Sequence, residues 1–127
     1  MKKVVKKIYN GVEYKLYEDD VKKVDELFAE AQNAEVLAIK GGVYLGYETS
    51  AENYFIEYLS ESNIKTLSDL EFSRINFGLT RSELSKKSGV SVRTIEAYEQ
   101  KLRNENTMPL DIYKKLYKAL GKEFVEL

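Results

Sequence analysis

The side chains that could do chemistry in this sequence are carboxylates, lysines, tyrosines, serines and threonines. The 127-residue chain contains no Cys and no His. Thiolate nucleophiles, disulfides, zinc clusters, Ser-His-Asp arrangements and imidazole metal ligands are therefore excluded. No pair of carboxylates has a spacing that defines an acid–base site. We expect no catalytic residue, no metal site and no cofactor, so the protein is predicted to bind rather than to catalyse.

Lysine and arginine can still bind anions, and these residues are unevenly distributed along the chain. Residues 1–63 carry 8 Lys and Arg against 12 Asp and Glu, a balance of −4. Residues 64–127 carry 12 against 9, a balance of +3, although the net charge of the whole chain is −1. Because a local surplus of positive charge attracts polyanions, the second half is the better candidate for a nucleic-acid partner.

The sequence has no run of apolar residues long enough to span a bilayer, and its Lys-rich start lacks the apolar stretch of a signal peptide. We expect a soluble cytoplasmic protein without a membrane partner. Its length fits one domain or two small ones. A polar break near residue 63 divides the chain into a predicted α+β domain, residues 1–63, and a predicted all-α domain, residues 64–127.

The first domain begins with the pattern of a β-hairpin. Residues 4–9 and 12–17 flank Asn10-Gly11, a dipeptide that suits a type I′ turn because both central residues need positive φ. With that turn, one side of the ribbon is expected to carry Val5, Tyr9, Val12, Tyr14 and Leu16.

The rest of the first domain is predicted to complete a ββαββα order. Apolar residues at helical spacing behind two aspartates predict a helix over residues 19–33. A second hairpin is expected from residues 36–40 and 43–47 around Gly41-Gly42. A further helix is expected to begin at residues 49–52, which have the spacing of a capping box.

Tyrosines are frequent in this first domain, with seven between residues 9 and 58. Tyrosine is favoured where one end of a side chain is buried and the other is wet, as at protein interfaces. We therefore predict a partner or dimer surface that includes Tyr44, Tyr47, Tyr54 and Tyr58.

The second domain reads as helical throughout. Its apolar residues recur at helical spacing, with interruptions at three glycines and one proline. The predicted helices cover residues 67–77, 80–87, 91–101 and 109–120, with a short turn at 122–127.

Residues 78–100, GLTRSELSKKSGVSVRTIEAYEQ, carry the most informative pattern. Thr80 and Glu83 have capping-box spacing at the start of a short helix. Gly89 can adopt the left-handed conformation that ends this helix, and Ser91 can cap the next one. Leu84, Val90 and Ile95 fall where two steeply crossing helices would share a buried contact. Together these features describe a helix-turn-helix unit.

This pattern resembles the Cro/repressor-type helix-turn-helix proteins of bacteria and phages, often called the XRE family. The resemblance covers about half of the chain. It implies an all-α five-helix repressor-like domain that binds double-stranded DNA in a bacterial cell, usually as a dimer, from a gene that a phage or mobile element could carry. The matching segments are residues 70–75, 78–80, 83–85, 88–91, 94–95, 98–99 and 116–121.

The resemblance also implies roles for individual residues. Helix 91–101 would be the recognition helix, and Arg93 is its best candidate for reading a base, because a guanidinium can bond both O6 and N7 of guanine. Arg81 stands where the family usually has a Gln that bonds a phosphate. The implied DNA-binding set is Arg81, Ser91, Val92, Arg93, Thr94, Ala97, Lys101, Arg103 and Asn104.

Lys101 and Glu99 lie at the end of the predicted recognition helix. The family commonly has Gly where this chain has Lys101, so the recognition helix is expected to run on toward Leu102 or Arg103. Glu99 lies on the recognition helix, and we expect it to pair internally with Arg74 or Lys115.

The sequence supports two functional hypotheses. The first is a sequence-specific DNA-binding transcriptional regulator, a repressor or autorepressor, whose first domain dimerises or senses a partner. The alternative is an antitoxin or phage-type anti-defence inhibitor, whose first domain neutralises an enzyme while the helix-turn-helix autoregulates the operon. An enzyme is the least favoured class, because no catalytic arrangement can be assembled from these residues.

Overall fold

The computed structural model describes residues 2–42 and 49–124. Within these residues the fold is α+β, with a two-stranded sheet followed by six α-helices. The chain divides into two compact units, one formed by Val5–Thr66 and the other beginning at Leu67, with which residues 2–4 are grouped. The predicted ββαββα order of the first half is not found, because residues 36–40, predicted as a strand, are helical.

The first hairpin is as predicted. Strand β1 covers Val4–Tyr9 and strand β2 covers Val12–Tyr17. Asn10 and Gly11 between them have φ values of 53° and 78°, as a type I′ turn requires. Of the five side chains expected on one side, Tyr9 and Leu16 are buried and Val5 and Tyr14 are half-buried, whereas Val12 is exposed beside the turn.

The helix predicted over residues 19–33 is longer than expected. After a 3-10 turn at Glu18–Asp20, helix α1 covers Val21–Lys40. The strand predicted over residues 36–40 is therefore wrong, and the second predicted strand, residues 43–47, lies outside the described residues. Nothing in residues 33–40 stops a helix, since neither Gly nor Pro occurs there, and Gly41 ends the helix instead of turning a hairpin.

Helix α2 covers Ala51–Glu61 and packs against α1. Its N-cap is Ser50, whose hydroxyl accepts a hydrogen bond from the Asn53 N–H at 3.2 Å, and the Ala51 N–H donates to the Glu35 carboxylate of α1. The two helices and the hairpin enclose an apolar core. Its buried members are Tyr9, Leu16, Val24, Leu27, Ala31, Phe55 and Leu59.

The second unit contains four α-helices among its described residues. They are α3 at Asp69–Phe77, α4 at Arg81–Ser88, α5 at Val92–Glu99 and α6 at Leu110–Ala119, with a 3-10 turn at Glu105–Thr107 between the last two. The short turn predicted at 122–127 is not found over residues 122–124, and the remainder lies outside the described residues. The buried core comprises Leu70, Leu84, Val90, Ile95, Tyr98, Leu116 and Ala119.

Helix α5 ends at Glu99, so the predicted extension to Leu102 or Arg103 is wrong. Lys101 adopts the left-handed conformation, with φ of 62°, that glycine normally supplies. The Lys101 N–H donates to the Tyr98 carbonyl at 3.0 Å, and the Leu102 N–H donates to the Ala97 carbonyl at 2.9 Å. These two bonds form a Schellman-type closure, which outweighs the cost of a non-Gly residue in this conformation.

Replacing Lys101 by glycine is expected to stabilise the second unit relative to Lys101→Ala by about 1 kcal/mol, because alanine keeps the Cβ that disfavours positive φ. Both variants remove the lysine side chain, so their difference reports the backbone alone. Urea denaturation, monitored by circular dichroism, measures this difference in the free energy of unfolding. Equal stability of the two variants would show that the left-handed conformation carries no strain.

Candidate nucleic-acid interface

Three local signals position helices α4 and α5. The Thr80 hydroxyl accepts from the Glu83 N–H at 3.1 Å, and the Glu83 carboxylate accepts from the Thr80 N–H at 3.0 Å, which completes the predicted capping box. The bond from the Thr80 N–H lowers the pKa of the Glu83 carboxyl. Gly89 ends α4 with φ of 80°, and the Ser91 hydroxyl caps α5 by accepting from the Thr94 N–H at 3.2 Å.

A buried apolar joint fixes the packing of the two helices. Leu84 of α4 and Ile95 of α5 are fully buried, and Val90 from the connecting turn is 7% exposed. All three belong to one core cluster, as the sequence predicted. Because this joint occupies the inner side of α5, the opposite side of the helix faces outward.

The outward side of α5 carries the predicted base-reading residues. Arg93 is exposed, Val92 is 39% exposed, and Thr94 and Ala97 are half-buried. The Ser91 hydroxyl also donates to the Thr94 hydroxyl at 2.9 Å, which orients both groups at the start of the helix. An exposed arginine in the first turn of a short, rigidly packed helix has the reach to contact a base edge.

Glu99, by contrast, faces inward and joins three helices. Its side chain is fully buried, and both of its oxygens accept from Arg74 of α3, with Nε–Oε2 and Nη2–Oε1 distances of 2.8 Å each. Arg74 Nη1 also donates to the Leu79 carbonyl at 2.9 Å. The predicted pairing of Glu99 with Arg74 is confirmed, whereas no ion pair with Lys115 is found among the described residues.

Arg81 is the third member of this cluster, which the sequence did not predict. Its Nε donates to Glu99 Oε1 at 2.9 Å, while the side chain remains 30% exposed. The predicted phosphate-binding arginine is therefore oriented by the buried end of the predicted recognition helix. No local signal in the sequence could have revealed this pairing, because the two residues are 18 positions apart and meet only when α4 and α5 pack.

The loop after α5 contains the other predicted backbone contacts. Lys101, Arg103 and Asn104 are all exposed. The Arg103 guanidinium lies 6.0 Å from the centre of the Tyr98 ring. The Asn104 side-chain oxygen accepts from the Asn106 N–H at 2.9 Å and caps the 3-10 turn, so this residue has a structural role in the loop.

The predicted partner surface is described only in part. Tyr44 and Tyr47 lie outside the described residues. Tyr54 and Tyr58 of α2 stack on each other with ring centres 6.3 Å apart, and both are half-buried beside the core of the first unit.

A half-buried carboxylate lies at the start of α3. Glu105 Oε1 accepts from the Leu70 N–H at 3.2 Å. Burial raises the pKa of the Glu105 carboxyl, and the nearby charges of Asp69 and Glu99 raise it further. The folded protein therefore binds this proton more tightly than the unfolded chain does. This preference favours folding below the ordinary pKa of 4.5 and is lost as the pH rises through the folded pKa.

The variant Glu105→Gln is expected to be more stable than the parent at pH 7, because it keeps an oxygen acceptor for Leu70 without the charge. The advantage is expected to shrink at pH 4, where Glu105 gains its proton. Urea denaturation at the two pH values measures the difference, with the exposed carboxylate variant Glu26→Gln as the control. A parent that gains stability relative to Glu105→Gln as the pH rises would contradict the assigned sign.

Comparison with known proteins gives no relative: no protein-family model, no curated protein and no solved structure matches this chain. Among residues 2–42 and 49–124, no three acidic, His or Cys side chains cluster in a way that could hold a metal ion. None of the described helices is both long and apolar enough to cross a membrane.

Proposed function

We propose that this chain is a sequence-specific DNA-binding regulator of the Cro/repressor-type helix-turn-helix class. The observation that carries the proposal is the exposed Arg93 at the start of α5, a helix whose inner side is fixed against α4 by Leu84, Val90 and Ile95. A short capped helix that packs against the preceding helix through such a buried apolar contact is the element that proteins of this class insert into the major groove.

In this proposal the first turn of α5 reads the bases. The Arg93 guanidinium donates to O6 and N7 of a guanine, and Val92 contacts a thymine methyl group. The Ser91 and Thr94 hydroxyls, which already bond to each other, lie at the same end of the helix and contact the sugar-phosphate backbone. Contact between Ala97 and the groove floor requires a close approach, which its small side chain permits.

Phosphate contacts on either side of α5 set the register. Arg81 stands at the start of α4, where backbone N–H groups and the helix dipole also favour an anion. Its bond to Glu99 holds the guanidinium in one orientation, so less conformational entropy is lost when it binds a phosphate. Lys101 and Arg103, exposed in the loop after α5, contact the next phosphates.

The first unit is proposed to supply the dimer contact. The last turns of α1 expose Val36, Leu37 and Ile39 at 46%, 60% and 52%, and α2 exposes Ile56 at 44%. Burial of such side chains against a second copy would favour association at about 25 cal/mol per Å² of apolar surface. A dimer would place two α5 helices on half-sites about 34 Å apart.

In vitro selection with the full chain and a random duplex library tests the proposal. We expect one consensus to be enriched, and we expect affinity for it to fall steeply between about 50 and 200 mM salt, because bound phosphates release counterions. Selection of no preferred sequence, or equal affinity for all duplexes, would overturn the proposal.

The exposed apolar residues of α1 also favour the second candidate, an inhibitor whose first unit binds an enzyme. Sedimentation of the full chain and of Leu37→Lys/Ile39→Lys separates the two roles. A dimer that the double variant dissociates supports the plain regulator. A monomeric chain that binds one enzyme stoichiometrically and inhibits it, with both effects lost in the double variant, supports the inhibitor.

A further inference from the structure

A pocket of about 550 Å³ at the carboxyl end of α6 has four lysines among the seven described residues that line it. Its wall includes the lysines at positions 114, 115, 118 and 122, together with Glu123 and Phe124. This volume lies within the range of about 300 to 1,000 Å³ that is typical of small-molecule sites. The DNA-binding proposal makes no use of these residues.

The backbone at the end of α6 shapes the pocket. Gly121 has φ of 86°, its N–H donates to the Lys118 carbonyl at 3.1 Å, and the Lys122 N–H donates to the Tyr117 carbonyl at 2.9 Å. This Schellman-type closure turns the chain back over the helix. Because the backbone already satisfies these last carbonyls, the lysines are not needed to cap the helix.

A hydrogen bond and three aromatic rings restrain the exposed side chain of Lys122. Its Nζ donates to the Tyr113 hydroxyl at 2.6 Å and lies 5.0, 5.7 and 5.5 Å from the ring centres of Tyr113, Tyr117 and Phe124. The two tyrosine rings are themselves stacked with centres 4.5 Å apart. An ammonium group restrained by a hydrogen bond and three rings loses little freedom when it binds an anion.

The other lysines add charge that the described protein does not neutralise. Lys114 and Lys118 are four residues apart on α6, and such like-charge pairs cost a helix about 0.2 to 0.5 kcal/mol. Within residues 2–42 and 49–124, no carboxylate lies within 4.0 Å of any of the four ammonium groups. A ligand with several negative charges would relieve the repulsion among these ammonium groups, and this relief would favour binding.

We propose that this pocket binds a compact anion that carries several phosphate charges, with Lys122 as its restrained donor and Lys114 and Lys118 as its mobile ones. Lysine ammonium groups bind phosphates as point charges from several directions, which suits a polyphosphate chain better than a single planar carboxylate. Glu123 sets a limit on the ligand, because a carboxylate in the wall repels an anion that extends toward it.

Isothermal titration of the full chain with inorganic tripolyphosphate at constant ionic strength tests the site. We expect one equivalent to bind, with affinity about tenfold lower in Lys114→Gln/Lys118→Gln, a loss equivalent to about 1.4 kcal/mol. The control Lys22→Gln/Lys23→Gln removes the same charge from exposed positions of α1 and is expected to bind as the parent does. Absence of binding by the parent, or equal weakening in both double variants, would overturn the proposal.

Competition between tripolyphosphate and duplex DNA identifies whether the bound phosphates belong to a free ligand or to nucleic acid. If saturating tripolyphosphate leaves duplex affinity unchanged, the pocket takes a free phosphate ligand. If tripolyphosphate and duplex displace each other in the parent but not in Lys114→Gln/Lys118→Gln, the pocket takes phosphates of the nucleic-acid backbone. The titration itself requires no DNA, so it can fail or succeed independently of the proposed regulatory function.

Discussion

Replacing Glu99 by alanine is expected to destabilise the second unit by about 3 to 5 kcal/mol. The substitution leaves the buried Arg74, and the partly buried Arg81, without the carboxylate that accepts from both of them. A domain of this size has a total stability of about 5 to 15 kcal/mol, so the loss is a large fraction of it. Urea denaturation monitored by circular dichroism at 222 nm measures the change. The stability of Glu99→Gln, which removes the charge but keeps the shape, is expected to lie between those of the parent and Glu99→Ala.

Glu96 provides the matched control on the same helix. It is half-buried and accepts a hydrogen bond from the Gln100 side chain at 3.1 Å, and among the described residues it forms no ion pair with Arg74 or Arg81. We expect Glu96→Ala to cost about 0.5 kcal/mol or less, as for an exposed pair at this spacing. Similar losses for Glu99→Ala and Glu96→Ala would mean that the three-residue cluster does not stabilise the unit.

Replacing Arg93 by alanine is expected to weaken binding to the preferred duplex by about 5- to 150-fold, which corresponds to the 1 to 3 kcal/mol of a bidentate arginine–guanine contact. Binding to unrelated duplexes is expected to change far less, because phosphate contacts dominate it. Folding is expected to be unaffected, since the Arg93 side chain is exposed. Fluorescence anisotropy with both duplexes measures the ratio.

The variant Arg93→Lys separates base reading from charge. Lysine keeps the positive charge but cannot form the planar two-donor contact, so discrimination is expected to fall while non-specific affinity is kept. If Arg93→Ala weakens binding to the preferred and to the unrelated duplex by the same factor, Arg93 contributes charge alone and does not read a base.

Local signals predicted the parts of the fold that depend on a few neighbouring residues. Asn10-Gly11 specified the first turn, and Thr80, Gly89 and Ser91 specified the limits of α4 and α5, because cap and turn chemistry acts within about four residues. The buried contact of Leu84, Val90 and Ile95 could then be predicted from the spacing of these residues on the two helices.

Other features depend on which of several competing interactions is strongest, or on how distant helices pack, and the sequence pattern reveals neither. Residues 36–40 suit a strand by composition, yet they continue α1 because no residue before Gly41 stops the helix. Lys101 takes a conformation that propensity disfavours, because the backbone bonds to Tyr98 and Ala97 compensate for it. The pairing of Arg81 with Glu99 spans 18 residues and depends on how α4 and α5 pack.

The most direct test of DNA reading by α5 is N7-methylguanine interference on the selected duplex. Methylation of N7 blocks the arginine contact from the major groove. We expect methylation of one guanine in each half-site to prevent binding by the parent protein and to have no effect on the residual binding of Arg93→Ala. Interference at no guanine, or the same interference pattern in Arg93→Ala, would contradict the assignment of Arg93 as the base-reading residue.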